Sequence, residues 1–309
     1  MVLLWMEREI EWMLGGGRTF SIPYWDWSTS EHRTFPFSKN VLGLHDKDGY
    51  LTGNFGDWGV ICTDVMDNSS IICNPTSQVE KLTRCNDNLA CSANYSKWPN
   101  RIDIYKALNV SVYDQPPYNQ KTMASGSFRN YLEGFNVSRE QCDFDDAHSV
   151  CNDSEDSTTL RMTLHNQVHN MLLGVLSIVP LAANDPIFVN HHSMVDYLLE
   201  VWIRRYHGDY QPPPGSSRAH KGHNYNDSLV PFLPLYTTSY FLQESTQFGY
   251  TYDPLEGLEF ENGESLEHQN GAQNLPLSWR MFFIEVSSHS HSILYSNYWQ
   301  KYYYCIPLN

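Results

Sequence analysis

The chain has no apolar run long enough to cross a bilayer, so no segment of it reads as a membrane span. It has no basic excess. Twenty Lys and Arg stand against 35 Asp and Glu, and the net charge of −15 argues against nucleic acid as a partner. Paired CxxC spacing is absent, which disfavours a zinc site built from its cysteines. An export signal is absent too, because Glu7, Arg8, Glu9 and Glu11 interrupt the only apolar stretch near the start. There are no internal repeats or low-complexity runs, and no histidine occurs before His32.

What is present points to an oxidising compartment. Six of the seven cysteines, Cys62, Cys73, Cys85, Cys91, Cys142 and Cys151, cluster in one region, and Cys305 stands apart. An even cluster favours disulfides, whose connectivity the spacing does not give. Six N-x-S/T sequons, at Asn68, Asn94, Asn109, Asn136, Asn152 and Asn226, point to the secretory pathway as well. A secreted-looking body without an export signal suggests a longer parent protein.

The 309 residues suffice for one large domain with a tail. Residues 2–14, VLLWMEREIEWML, carry apolar positions at helical period, and Gly15-Gly-Gly17 should end that helix. Residues 37 to about 120 are rich in Asn, Asp, Gly, Ser and Pro and read as a loop-rich excursion. Residues 208–224 form a Pro/Gly/Ser loop, and residues 228–252 read as extended and aromatic.

The chemistry concentrates between Leu164 and Tyr206. His165 and His169 are four apart, so a helix places them one turn above each other on one face. A second helix starts at Asp185-Pro186, an N-cap residue followed by a proline suited to the first helical position. Its His192 shares a face with Phe188, Val195 and Leu199 and so points inward. Three imidazoles from two facing helices in an apolar setting suit a metal such as copper.

These strings resemble a known family. HNQVH (165–169) followed by LAANDPIFVNHHSMVDYLLEVW (181–202) is similar to the second copper-binding half, copper B, of the tyrosinase family. Phe20 to Trp27, FSIPYWDW, resembles the segment that follows that family's first copper-binding helix. SFRNYLEGF (127–135) resembles the segment that leads toward the copper B helices, and GHN (222–224) and VPFLPLY (230–236) resemble the stretch after copper B in the animal tyrosinase and tyrosinase-related branch. The likeness covers most of residues 1–252, a tyrosinase-like copper-binding domain, and leaves 253–309 as a divergent tail.

The resemblance implies a mainly α fold: a type 3 copper helical bundle with disulfide-containing, loop-rich excursions. It implies two coppers, each held by three histidines, that oxidise phenols or catechols to quinones with O2 in pigment chemistry. His165, His169 and His192 would be the copper B ligands. His191 would sit behind them or only pack, and Phe135 would cover the metal. Asp185 and Asp196 would orient ligands through hydrogen bonds; as alternatives, Asp185 is a helix cap and Asp196 an ion-pair partner of Arg204 or Arg205. Glu133 and Asn166 match the positions that hold a water able to take the phenol proton. The doubled His191-His192 leans toward copper over the zinc-binding branch.

The copper A trio has no counterpart in this sequence, so the bundle should be one helix short and apolar faces exposed. The expectation is at most one copper and little oxidase activity for residues 1–309 alone. Two other readings remain open. One is a non-catalytic protein that binds a single metal. The other is an oxygen carrier related to haemocyanin, against which the likeness around NDPIF and VPFLPLY argues.

Overall fold

The computed structural model describes residues 2–16, 20–29, 35–60, 65–67, 70–71, 80–84, 98–114, 127–134, 164–179, 181–207, 224–228, 236–255 and 258. All seven cysteines, Phe135 and four of the six sequon asparagines lie outside these residues. The described part is mainly helical. Its helices are α1 (Val2–Met13), α2 (Arg101–Leu108), α3 (Phe128–Glu133), α4 (Leu164–Leu172) and α5 (Ile187–Tyr206). None of these is long and apolar enough to cross a membrane.

Helix α1 ends as its glycines predict. Gly15 and Gly16 adopt φ of 90° and 70°, and the Gly16 amide reaches back to the Glu11 carbonyl. Two of the acidic residues that spoil an export signal have a structural use. Glu7 accepts from the Ile22 amide and Glu11 from the Phe20 amide, holding the 20–27 segment to the helix. The outer face of α1 leaves Trp12 73% and Met13 48% exposed.

Helix α5 packs against α2, α3 and α4 and forms the centre of the core. Trp202 and Tyr197 of α5 are fully buried with Phe128 of α3 and Trp27. The Trp202 ring stacks on Phe128 at 4.8 Å between centroids, and its indole N–H donates to the Val110 carbonyl. Leu255 and Leu258 join the same cluster, so the core continues past Tyr252 into the segment that resembled a tail. Two polar anchors carry it there: the Tyr197 hydroxyl donates to the Leu258 carbonyl and accepts from the Leu255 amide.

Two stretches differ from expectation. The loop-rich region contains α2, which opens with a reciprocal capping box. Asn100 accepts from the Ile102 and Asp103 amides, and Asp103 accepts from the Asn100 amide. The same region holds short antiparallel pairs, Leu44–His45 with Leu51–Thr52, Gly59–Val60 with Glu80–Lys81, and Val65–Asp67 with Ser70–Ile71. Residues 236–250, expected to be extended, instead contain 3-10 turns at Thr238–Phe241 and Ser245–Phe248. The second turn is set by a distant partner: the buried Glu200 of α5 accepts from both the Ser245 amide and its hydroxyl.

Buried ion pairs join the pieces. Arg84 pairs with Asp185 through two hydrogen bonds of 2.6 and 2.5 Å and also donates to the Leu42 and Gly43 carbonyls. Arg129 pairs with Asp114, and Arg101 with the buried Asp26 of the 20–27 segment. Removing one partner of a buried pair strands the other charge, at a cost of about 3–5 kcal/mol. Arg84→Ala should therefore lower stability by about that amount, read as a shift in the urea unfolding midpoint.

Candidate metal centre

Helix α4 presents His165 and His169, and α5 presents His191 and His192. The start of α5 follows the sequence logic. The Asp185 carboxylate accepts from the Ile187 amide and its carbonyl from the Phe188 amide, while Pro186 supplies φ of −59°. Strained backbone marks both ends of α4. Leu164 and Leu173 at its two ends have φ of 26° and 51°, where side chains other than glycine are disfavoured. Gly174 follows at φ 53°, and a Cβ there would lie 2.0 Å from the Thr83 carbonyl oxygen. Only glycine permits that approach, which lets the Val175 amide donate to Thr83 and seats the end of α4.

The Nε2 atoms of three histidines converge. His165 and His192 are 2.9 Å apart, His165 and His169 3.1 Å, and His169 and His192 3.5 Å. His169 is oriented from behind, its Nδ1 2.7 Å from the Leu176 carbonyl. A carbonyl only accepts, so Nδ1 carries the proton and Nε2 offers a bare lone pair. The Glu133 carboxylate lies 3.3 Å from Nδ1 of His165, close enough for an electrostatic contact but without hydrogen-bond geometry. The Phe188 ring stands edge-on to His192 at 3.9 Å between centroids.

His191 is the fourth member. It is 1% exposed, stacks on His165 at 5.3 Å and meets the edge of Trp27 at 6.3 Å. Neither of its ring nitrogens has a hydrogen-bond partner of normal geometry. One ligand atom from each of the four histidines falls within 4.8 Å of the others.

Burial, and then the neighbouring His165, lowers the His169 pKa to about 4. Burial and the other imidazoles hold His191 and His192 well below the usual range. His169, His191 and His192 are therefore neutral imidazoles at pH 7. Close lone pairs repel unless a cation sits among them. An imidazole–metal bond of about 2.0–2.1 Å, as for zinc, puts neighbouring nitrogens of a tetrahedral shell about 3.3 Å apart. The observed spacings bracket that value, so the residues fit a first-row metal ion.

The other candidate residues fall differently. Asp185 spends its carboxylate on Arg84 and the α5 amide and touches no imidazole. Asp196 neither orients an imidazole nor pairs with an arginine; it accepts from the Tyr250 and Tyr252 hydroxyls. Arg204 pairs instead with Glu200 at the favourable i, i+4 spacing, and Arg205 donates to the Leu108 carbonyl. Asn166 is part-buried on α4 beside His165. His45 lies away from the cluster in a short strand, its ring nitrogens buried without hydrogen-bond partners.

A mainly helical domain with imidazoles converging between two helices is of the class suited to holding a metal ion through histidine. Comparison with known proteins narrows the class. The family description "Common central domain of tyrosinase" matches residues 1–205. The chain is 33% identical over 260 residues to tyrosinase of Gallus gallus and 32% over 263 residues to that of Bos taurus. These alignments cover 82% and 84% of this chain but 45% and 46% of the relatives. It is also 31% identical over 258 residues to 5,6-dihydroxyindole-2-carboxylic acid oxidase of Gallus gallus, covering 81% of this chain and 44% of that protein. The chain belongs to the tyrosinase family, in its animal branch, and spans about half the length of the curated relatives it matches.

The depressed His169 pKa has a consequence for stability without metal. The unfolded chain takes up this proton near pH 6.5, the fold only near pH 4. Stability from this group is full above pH 6.5 and is lost as pH falls through about 4. Urea midpoints of metal-free protein at pH 7 and pH 4.5 should differ more in the native chain than in His169→Asn.

Proposed function

We propose that this chain supplies the copper B half of a tyrosinase-type oxidase, with His165, His169 and His192 as the ligands. The observation that carries the reading is the convergence of their three Nε2 atoms within 3.5 Å. Copper bound there supplies O2-dependent oxidation of phenols and catechols to quinones, the chemistry of melanin-type pigment. The rest belongs to the side chains. Leu176 holds the tautomer of His169, Glu133 lies beside Nδ1 of His165, and Phe188 packs edge-on against His192. His191 packs behind the trio, its ring fixing the plane of His165.

Glu133 stands at the edge of the cluster with its side chain 40% exposed, open to an entering phenol. A phenol ionises near pH 10, so a carboxylate that takes the proton, through a water shared with Asn166, favours binding to the metal at neutral pH. Phe135 is proposed as the aromatic cover of the same metal.

Among the described residues, the cluster of four histidines is the one group of His, Cys, Asp and Glu suited to a metal. That favours a second reading, a non-catalytic protein that binds a single metal. One experiment separates the two. Residues 1–309 are loaded with copper, the metal is counted by mass spectrometry, and O2 uptake is followed with 4-methylcatechol. One retained copper, lost in His169→Ala and His192→Ala, with little O2 uptake, is the expected outcome for these residues by themselves. Uptake at a rate typical of an enzyme would show a complete oxidase, and no retained copper would overturn the copper reading.

Passage through the secretory pathway is proposed from the sequons and clustered cysteines. Asn109 and Asn226, the two sequon asparagines among the described residues, are both exposed. Expressed with a signal sequence in a eukaryotic host, the chain should carry glycans at both. The check is the loss of mass on glycosidase treatment, mapped by peptide mass spectrometry; unmodified Asn109 and Asn226 would contradict the assignment.

A further inference from the structure

A chain of tyrosines lies beside the helix that carries His191 and His192, and the metal site itself makes no use of it. Tyr24 stacks on Tyr197 at 5.2 Å between centroids, Tyr197 meets Tyr252 at 5.5 Å, and Tyr252 meets Tyr250 at 5.7 Å. Tyr24 also meets Tyr252 directly at 6.2 Å. Rings this close exchange electrons readily. The chain begins near the imidazoles, because Asp196 is one helical turn beyond His192, a Cβ separation of about 5–6 Å.

The hydroxyl partners decide where an electron can be removed. Tyr24 and Tyr197 donate to the Asp253 and Leu258 carbonyls, which cannot take up a proton under ordinary conditions. Tyr252 and Tyr250 donate to a carboxylate oxygen of Asp196, at 2.5 and 3.0 Å. Burial, and then the Asp196 charge, pushes the pKa of both phenols far up, so neither ionises by itself. Removing an electron from a neutral phenol is costly unless its proton leaves in the same step, and Tyr252 and Tyr250 have a carboxylate in place to take it.

We propose that Tyr252 and Asp196 form a redox-active pair, the working end of a tyrosine relay that drains single oxidising equivalents from the histidine cluster. In the step, one electron passes from the Tyr252 ring to a one-electron oxidant of the hydroxyl-radical class, generated at the cluster when peroxide meets bound copper. The phenolic O–H bond breaks and the proton moves to Oδ2 of Asp196. The products are a neutral tyrosyl radical, a protonated carboxyl group and hydroxide. The oxidant rests on the copper reading above, whereas the tyrosine–carboxylate pair does not. The relay would spare the imidazoles from oxidation when no phenol is bound to consume the oxidising equivalent.

Two measurements test the proposal. In the first, metal-free protein is oxidised by flash-generated ruthenium(III) tris(bipyridine) and frozen for electron paramagnetic resonance. The native-minus-Tyr252→Phe difference should show a neutral tyrosyl radical, and Asp196→Asn, which keeps the shape and removes the base, should lose the same signal. Tyr250→Phe should retain it. Identical spectra for native, Tyr252→Phe and Asp196→Asn proteins would overturn the pair. In the second, copper-loaded protein is treated with hydrogen peroxide and 2-oxohistidine at His165, His169 and His192 is measured by peptide mass spectrometry. Oxidation of these histidines should rise in Tyr252→Phe and in Asp196→Asn; levels equal to native would overturn the draining role. Failure to retain copper would refute the copper reading and the draining role with it, and the flash experiment would still decide the pair.

Discussion

The buried pair of Arg84 and Asp185 joins parts of the chain that lie about a hundred residues apart. Asp185 caps α5 and at the same time neutralises Arg84, which in turn holds the carbonyls of Leu42 and Gly43. Next to Arg84, the Thr83 carbonyl accepts from the Val175 amide across Gly174 and so sets the end of α4. The start of one histidine-bearing helix and the end of the other are thus fixed by adjacent residues of one segment. A buried charge cannot drift from its partner without a large desolvation penalty, so this contact tolerates little movement. The relative position of His165, His169 and His192 inherits that rigidity.

The imidazole cluster is costly without a metal. Four rings lie in contact, and the two nitrogens of His191 are buried without hydrogen-bond partners of normal geometry. Backbone strain sits at both ends of α4. The metal proposed above would relieve this cost by engaging the converging nitrogens. The hydrogen bond from His169 to Leu176 aims a bare nitrogen at their common point, and the carboxylate of Glu133 lies beside His165.

Much of the site was legible because it depends on local spacing. The i, i+4 pair His165 and His169, and the Asp185-Pro186 start of α5, are statements about helix geometry that hold in any context. The ordered strings around them located the family. The capping box of Asn100 and Asp103 was equally local and could have revealed α2, but it is embedded in polar, turn-rich sequence that masked the short apolar face. Residues 236–250 misled for a different reason. Their aromatic content favours strands, yet the Ser245–Phe248 turn is organised by Glu200, 45 residues away in sequence. The part played by Asp196 was hidden in the same way: its tyrosine partners come from a segment that nothing local ties to α5.

By itself, then, the sequence determined which residues are helical around the histidines, which imidazoles share a face, and which family the chain belongs to. Backbone periodicity and capping act over a few residues and leave their pattern in order of occurrence. Only the tertiary structure decided that three Nε2 atoms meet within 3.5 Å, that His191 is sealed among them, and that Asp185 and Asp196 serve an arginine and two tyrosines rather than the imidazoles. Those outcomes depend on which buried charges and hydroxyls find one another across the fold. That is settled by desolvation and packing between distant segments, which spacing along the chain does not record.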